Sequence, residues 1–124
     1  MKDFPADLKE ELRERPEIRI ETEEDGTRHS TIIWVVVTAD GVFVRSYRGP
    51  QGKWYQRVKR TGTAVLRVGR RRIPVRLEPD TDPTHNRRID EAYQRKYGPR
   101  WPVETEAMVK PASVRRTTLR VLPA

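Results

Sequence analysis

The chain has 124 residues, which is enough for one domain with a single core, and its mean hydropathy of −0.86 makes it lean in apolar side chains. It contains no cysteine and only two, widely separated histidines, so disulfides are excluded and no metal site is expected. The net charge of the whole chain is +8, although residues 1–25 carry five basic and ten acidic side chains. The absence of a long apolar stretch or a signal-like start predicts a cytoplasmic protein without a membrane span.

The first elements in chain order predict a helical arm followed by a hairpin. Ala6 to Arg15 has helical spacing, and Pro16 ends it because proline disfavours helix in the residue before it. Glu17 to Thr22 alternates polar and apolar residues as a half-buried strand does. The turn residues Asp25-Gly26 lead into a return strand, Thr27 to Thr38, whose apolar run must be covered on both faces. One face is expected to meet a barrel interior, and the other a helix or a second subunit.

The rest of the chain predicts short elements separated by turns. Asp40-Gly41 marks the next hairpin turn, and Pro74 indicates an edge strand or a bulge. The predicted elements are a strand at Val42–Ser46, a helix at Lys53–Arg60, a hairpin of Thr63–Val68 and Arg72–Leu77, a helix from its cap at Thr84 to Tyr97, and a last strand at Arg115–Leu122.

This order predicts an α+β fold, mainly β with short helices. We expect a six-stranded antiparallel split β-barrel, because closure removes exposed strand edges. The expected organisation is a single domain over residues 1–124. Its parts are an N-terminal helical arm (1–16), core hairpins (17–77), a helix (84–97) and a last strand (115–122).

The junction between the third strand and the following helix has the chemistry of a phosphate site. Gly41 to Leu77 carries eleven basic residues and no acidic one. Arg45 and Arg48 offer guanidinium forks to phosphate oxygens, and Ser46 offers a hydroxyl. The helix beginning near Gly52 adds backbone N–H donors. The competing interpretation is an exposed strand end with solvated arginines.

Two segments, Gly26–Val37 and Val42–Gly49, resemble the flavin-binding split-barrel proteins of the pyridoxamine-phosphate-oxidase-like superfamily. Within it the chain is most similar to a small bacterial family of comparable length. The resemblance implies a homodimer that binds flavin mononucleotide, or the deazaflavin coenzyme, near the subunit interface. It also leaves a cofactor-free or haem-binding protein open, because the superfamily includes both. The implied cofactor residues are His29, Ser30 and Thr31 along the flavin ring and Arg45, Ser46, Arg48 and Lys53 at the phosphate. Trp54 is a further candidate, as a stacking surface for the cofactor, and the alternative is that the Trp54 and Tyr55 rings fill the cofactor volume.

No catalytic residues can be assigned, because the sequence lacks a nucleophile elbow, a P-loop and a paired-acid motif. An enzyme built on this chain would be a flavin-dependent oxidoreductase whose cofactor carries the chemistry. Two alternatives stay open. One is a cofactor-free dimeric ligand or interaction module. The other is a nucleic-acid-binding barrel that uses Trp54 and Tyr55 as stacking platforms beside the basic residues Arg57, Lys59, Arg60, Arg67, Arg70, Arg71 and Arg72.

Overall fold

An antiparallel sheet of seven strands, curled into a half-barrel, organises residues 3–124, which the computed structural model describes. The strand order is β2-β1-β5-β6-β7-β4-β3, so β2 and β3 are the two edges. Short helices connect the strands, and a 3₁₀ turn at Gly49–Gln51 precedes the second helix. The elements are α1 (Ala6–Glu14), β1 (Ile18–Glu24), β2 (Thr27–Ile33), β3 (Val36–Thr38), β4 (Gly41–Val44), α2 (Lys53–Thr61), β5 (Thr63–Val68), β6 (Arg71–Pro79), α3 (Pro83–Tyr97), α4 (Pro102–Val109), α5 (Ala112–Arg115) and β7 (Leu119–Pro123).

The prediction of six strands is corrected by the run Thr27–Thr38, which forms two strands instead of one. Its first part, β2, pairs with β1 along the whole hairpin, from Glu24 opposite Thr27 to Ile18 opposite Ile33. Its second part, β3, pairs with β4 at the other edge of the sheet. The link between the two parts therefore crosses from one edge of the half-barrel to the other, which gives seven strands in place of six.

Three smaller predictions also change. The cap of α3 is Asp82, whose carboxylate accepts N–H bonds from Thr84 and His85, in place of the predicted cap Thr84. The edge predicted at Pro74 is local. β6 lies between β5 and β7, but the register with β7 begins only at Val75, so Pro74 has a ladder partner on β5 alone. The segment between α3 and β7, for which the sequence predicted no element before residue 115, forms α4 and α5.

The core has two parts, one on each face of the sheet. Side chains of β1, β4, β5, β6 and β7 meet α1 and α2 inside the half-barrel. On the other face, Val36 and Phe43 pack against Ile89 and Tyr93 of α3. Each such aliphatic side chain contributes roughly 1.5–3 kcal/mol through burial. The prediction that both faces of the apolar run are covered holds for Val36 of β3, which packs against α3, and fails for β2, where Ile32 is 49% exposed.

Residues 3–124 contain neither a membrane-spanning helix nor a cluster of metal ligands. No described helix combines the length and the apolar character that crossing a bilayer requires. Within the same residues, no group of three or more His, Cys, Asp or Glu side chains is arranged to hold a metal ion.

Candidate functional site

A cleft of about 490 Å³ opens where β4 ends and α2 begins. Its other walls come from the end of β2 and from α4. The volume lies within the range of about 300–1,000 Å³ that is typical of small-molecule sites. Six of the eight residues that the sequence singled out line this cleft, namely Thr31, Arg45, Ser46, Arg48, Lys53 and Trp54.

The remaining two, His29 and Ser30, lie further back along β2. Ser30 is exposed, and its hydroxyl is 3.4 Å from the Arg19 guanidinium. His29 is half-buried and lies opposite Thr22 of β1. Neither lines the cleft.

Arg45 belongs to the interior of the protein. Its guanidinium is fully buried and forms an ion pair with Asp90 of α3, at 2.6 Å. Its Nε–H donates to the Thr118 hydroxyl at 2.9 Å, and further N–H groups donate to Asn86 and to the Met108 carbonyl. Five N–H groups thus meet five acceptor contacts, which is all that an arginine offers. We conclude that Arg45 ties β4 to α3 and α4 and has no donor left for a phosphate.

Ser46, the next residue, lines the cleft and carries a buried polar atom without a partner in the described part of the chain. The residue is 1% exposed, and its Oγ is buried without a hydrogen-bond partner among residues 3–124. Its backbone N–H donates to the Thr117 hydroxyl at 2.9 Å, so the backbone is held while the side-chain hydroxyl stays free. A buried hydroxyl without a partner costs about 1–3 kcal/mol. A ligand oxygen that accepted from this hydroxyl would remove that cost.

The space around the Ser46 hydroxyl depends on Gly52. A Cβ atom at position 52 would lie 2.2 Å from Ser46 Oγ, well inside van der Waals contact. Gly52 has ordinary extended backbone angles, so its role is to leave room and not to supply an unusual conformation. The glycine therefore leaves the space that the Ser46 hydroxyl occupies, and we call this arrangement of Gly52 and the hydroxyl the cradle.

The N-terminus of α2 forms the other side of this cradle. Gly52 is the cap residue of the nine-residue helix, and no side chain of residues 3–124 caps its first N–H groups. Such groups have no partner within a helix and carry the positive end of its dipole. Lys53 and Trp54, in the first turn, line the cleft. Helix N–H groups, a free hydroxyl and a lysine together form an anion-binding arrangement.

The cations of the cleft differ from most other basic residues of the same stretch. Arg48 and Lys53 are exposed and form no ion pair with any residue in 3–124. By contrast, the buried Glu21 binds both Arg67 and Arg72. Other ion pairs join Arg57 and Arg60 to Glu24, and Arg71 to Asp7 and Glu11.

These pairs weaken the interpretation of the basic stretch as a nucleic-acid surface, because neighbouring carboxylates neutralise much of it. The proposed stacking platforms are also inaccessible. Trp54 and Tyr55 are each 6% exposed, and burial raises the pKa of the Tyr55 hydroxyl. A base can stack only on an exposed ring face.

An aromatic pair stiffens the wall opposite α2. The Trp34 ring, which lines the cleft, stacks on Tyr97 with centroids 3.9 Å apart and planes 2° from parallel. The Tyr97 hydroxyl donates to the Pro16 carbonyl at 2.7 Å and accepts from the Val35 N–H at 3.1 Å. Burial raises the pKa of Tyr97, so this hydroxyl keeps its proton. The wall is therefore fixed in place before any ligand arrives.

Lys96 supports this wall from behind. Its Nζ donates to the carbonyls of Leu12 and Val35, each at 2.8 Å, and lies 5.0 Å from the centre of the Tyr97 ring. Desolvation lowers the pKa of Lys96 to about 8. The lysine thus joins α1 to the link between β2 and β3.

Sequence reasoning missed several residues of the site. Glu17, Glu104 and Met108 also line the cleft, and Gly52 shapes it. The sequence pattern predicts only the start of a strand at Glu17, and it predicts no element for the segment that contains Glu104 and Met108. The contact of α4 with the end of β4 depends on tertiary packing, and no local sequence pattern predicts it.

Comparison with solved structures yields proteins of the pyridoxamine-phosphate-oxidase-like split-barrel class at low identity, which confirms the class of fold that the sequence suggested. A FAD-binding protein from Mesorhizobium loti has a TM-score of 0.62 and 15% identity, covering 98% of this chain and 91% of its own. HutZ, the haem storage protein of Vibrio cholerae, has a TM-score of 0.63 and 11% identity, covering 98% and 91%. Campylobacter jejuni ChuZ has a TM-score of 0.71 and 10% identity over 94% of this chain, which spans only 51% of the ChuZ chain.

The comparisons by sequence identify one bacterial family and no curated protein. A search of the curated proteins found no match. A family model described as "Uncharacterized protein conserved in bacteria (DUF2255)" matches residues 9–121, which is most of the chain. The chain therefore belongs to this bacterial family, and its fold is that of the split-barrel proteins.

Proposed function

We propose that the cleft binds flavin mononucleotide and holds its phosphate between Ser46 and the start of α2. The observation that carries the proposal is the buried, unpartnered Ser46 hydroxyl beside the uncapped helix N-terminus. Both lack a partner that a phosphate oxygen would supply. The likeness to a FAD-binding protein supports a flavin, and the likeness to a haem storage protein is the competing analogy.

Each residue of the proposed site has a distinct part. Ser46 and the α2 backbone would hydrogen-bond the phosphate, while Arg48 and Lys53 would balance its charge. Thr31 and Trp34 line the remaining volume and would pack against the flavin ring. A bound flavin would supply hydride and electron transfer, so this chain's contribution would be binding and orientation. Oxidoreductase activity is thus part of the proposal.

Haem fits the same cleft less well. Histidine, cysteine, methionine and tyrosine are the usual axial ligands of haem iron. Neither histidine lines the cleft, and Tyr47, which does, is 57% exposed. Met108 is the remaining candidate, and its side chain is buried in the cluster around α3 and α4. We therefore favour flavin over haem. The deazaflavin coenzyme stays a candidate, and flavin is the first of the two ligands to test.

We also propose that the protein acts as a homodimer with the cleft close to the interface. Two large apolar side chains that line the cleft are exposed, Ile32 at 49% and Tyr47 at 57%. The strand β2, which carries Ile32, is an edge whose backbone groups face outward. In such a dimer His29 and Ser30 would lie at the interface, and this is where the resemblance assigns them to the flavin ring.

The proposal is tested by titrating the protein with flavin mononucleotide and following quenching of flavin fluorescence. The variant Arg48→Ala/Lys53→Ala is expected to weaken binding on the order of 10-fold or more, because it removes both unpaired cations. Lys59→Ala is the matched control, since Lys59 is an exposed lysine of the same helix and does not line the cleft. Equal affinities for all three proteins would refute the phosphate assignment.

A further inference from the structure

Two neighbouring threonines in the turn from α5 to β7 hold the two residues that follow β4. Thr117 and Thr118 are both buried, at 0% and 1% exposure. The Thr117 hydroxyl accepts the backbone N–H of Ser46 at 2.9 Å, and the Thr118 hydroxyl accepts the side-chain Nε–H of Arg45 at 2.9 Å. Thr118 therefore belongs to the structural network of Arg45, whereas Thr117 holds the backbone of a cleft residue.

The Thr117 hydroxyl is itself oriented by α5. It donates to the Val114 carbonyl at 2.6 Å, and the backbone N–H of Thr117 donates to the same carbonyl at 2.9 Å. A hydroxyl has a single proton, so the bond to Val114 leaves an oxygen lone pair to face the Ser46 N–H. The acceptor that Ser46 meets is thus fixed in direction by the turn that carries Thr117.

The bond from Ser46 to Thr117 is the first of a chain of hydrogen bonds that ends at α2. The Ser46 carbonyl accepts the Gly49 N–H at 2.9 Å, and the Gly49 carbonyl accepts the Gly52 N–H at 3.1 Å. Gly49 has a φ of 67°, a left-handed conformation that favours glycine. Gly52 is the cap residue of α2. Thr117 therefore anchors a turn that carries both the Ser46 hydroxyl and the helix N-terminus.

We infer that Thr117 is a positioning residue of the phosphate site, which fixes the direction of the Ser46 hydroxyl and the start of α2 by holding the Ser46 backbone. This inference rests on the proposed function, since it takes the phosphate to lie between those two groups. Donors that are held in place before binding lose less conformational entropy when the ligand arrives. Thr117 does not line the cleft, so it acts through Ser46 and not by contact with the phosphate.

The test compares flavin mononucleotide with riboflavin, which lacks the phosphate, by quenching of flavin fluorescence. Thr117→Val keeps the size of the side chain and removes the acceptor of the Ser46 N–H. We expect its affinity for flavin mononucleotide to fall roughly 3- to 10-fold, as for one lost hydrogen bond, and its affinity for riboflavin to change by less than about 2-fold. Thr117→Ser keeps the hydroxyl and should restore most of the lost affinity.

Thr118→Val is the matched control, because Thr118 is an equally buried threonine whose hydroxyl meets the Arg45 side chain. We expect it to lower the Tm of the ligand-free protein about as much as Thr117→Val does, and to keep the wild-type preference for flavin mononucleotide over riboflavin. If Thr117→Val does not fold, Thr117→Cys takes its place. A thiol offers only a weak acceptor, so this variant should lose part of the same preference.

The outcomes separate the inference from the proposed function. Equal affinities of the wild-type protein for the two flavins would refute the phosphate site, and the proposed function would fail with it. If the wild-type protein prefers flavin mononucleotide and Thr117→Val keeps the whole preference, the inference is overturned while the phosphate site stands. It is also overturned if Thr118→Val loses the preference to the same extent, or if Thr117→Ser does not recover it, because general loosening would then explain the loss.

Discussion

Removal of the Ser46 hydroxyl should stabilise the free protein and weaken its ligand binding, a combination that distinguishes a binding residue from a structural one. In Ser46→Ala the buried oxygen without a partner disappears, which relieves a cost of about 1–3 kcal/mol. The small void left behind offsets part of this gain. We expect the free energy of unfolding to rise by about 1 kcal/mol, which corresponds to roughly 3–6 °C in Tm for a domain of this size.

The same substitution removes a hydrogen bond to a charged phosphate. Such bonds contribute about 1.5–3 kcal/mol, so the affinity for flavin mononucleotide should fall on the order of 10-fold or more. Thermal melting of the ligand-free protein by circular dichroism gives the first quantity, and flavin fluorescence quenching gives the second. Ser113→Ala, at an exposed serine of α5, is the control and should change neither. A less stable Ser46→Ala protein with unchanged flavin affinity would refute the reasoning.

Three further predictions concern the cradle, the network behind it and the wall. Gly52→Ala should weaken flavin binding about as much as Ser46→Ala, because its Cβ takes the space of the hydroxyl; a double variant whose losses simply add would contradict the shared cradle. Arg45→Met should lower the free energy of unfolding by about 3 kcal/mol in urea titrations, because it leaves buried acceptors of Asn86 and Met108 without a donor, while Asp90 keeps its second partner, Arg115; a change below about 1 kcal/mol would show that the network is dispensable. The pKa of Lys96 is lowered to about 8 in the folded protein, so above that pH the unfolded chain binds more protons than the folded one. The free energy of unfolding should therefore rise between pH 8 and 9.5. Lys96→Met should flatten this rise, and identical pH profiles of the two proteins would contradict the reasoning.

The strands were predictable where the signal is local. Turn residues and period-two alternation located the hairpin of β1 and β2 and that of β5 and β6. The same signals did not reveal that Thr27–Thr38 changes partner halfway, because residues 27–33 and 36–38 are equally strand-like in composition. Which neighbour a strand pairs with is decided by the closure of the sheet, and that information is spread over the whole chain.

The site was predictable as a location but not in the roles of its residues. The predicted strand, the glycine turn and the start of the following helix indicated a polar region around residues 45–54, and residues of this region line the cleft. Arg45 and Ser46 are neighbours in sequence, yet the Arg45 guanidinium binds Asp90, 45 positions away, while the Ser46 hydroxyl has no hydrogen-bond partner among residues 3–124. Such a difference follows from tertiary packing alone. Glu104 was missed for the same reason, since α4 brings it to the cleft from a distant part of the chain.

The most direct test of the central claim compares flavin mononucleotide with riboflavin, which has the same ring and ribityl chain but no phosphate. Fluorescence titration of the wild-type protein with each ligand measures how much of the affinity depends on the phosphate. We predict saturable binding of flavin mononucleotide and at least about 10-fold weaker binding of riboflavin, because the helix N-terminus, Ser46, Arg48 and Lys53 would all lose their partner. Equal affinities, or no saturable binding of flavin mononucleotide, would contradict the account.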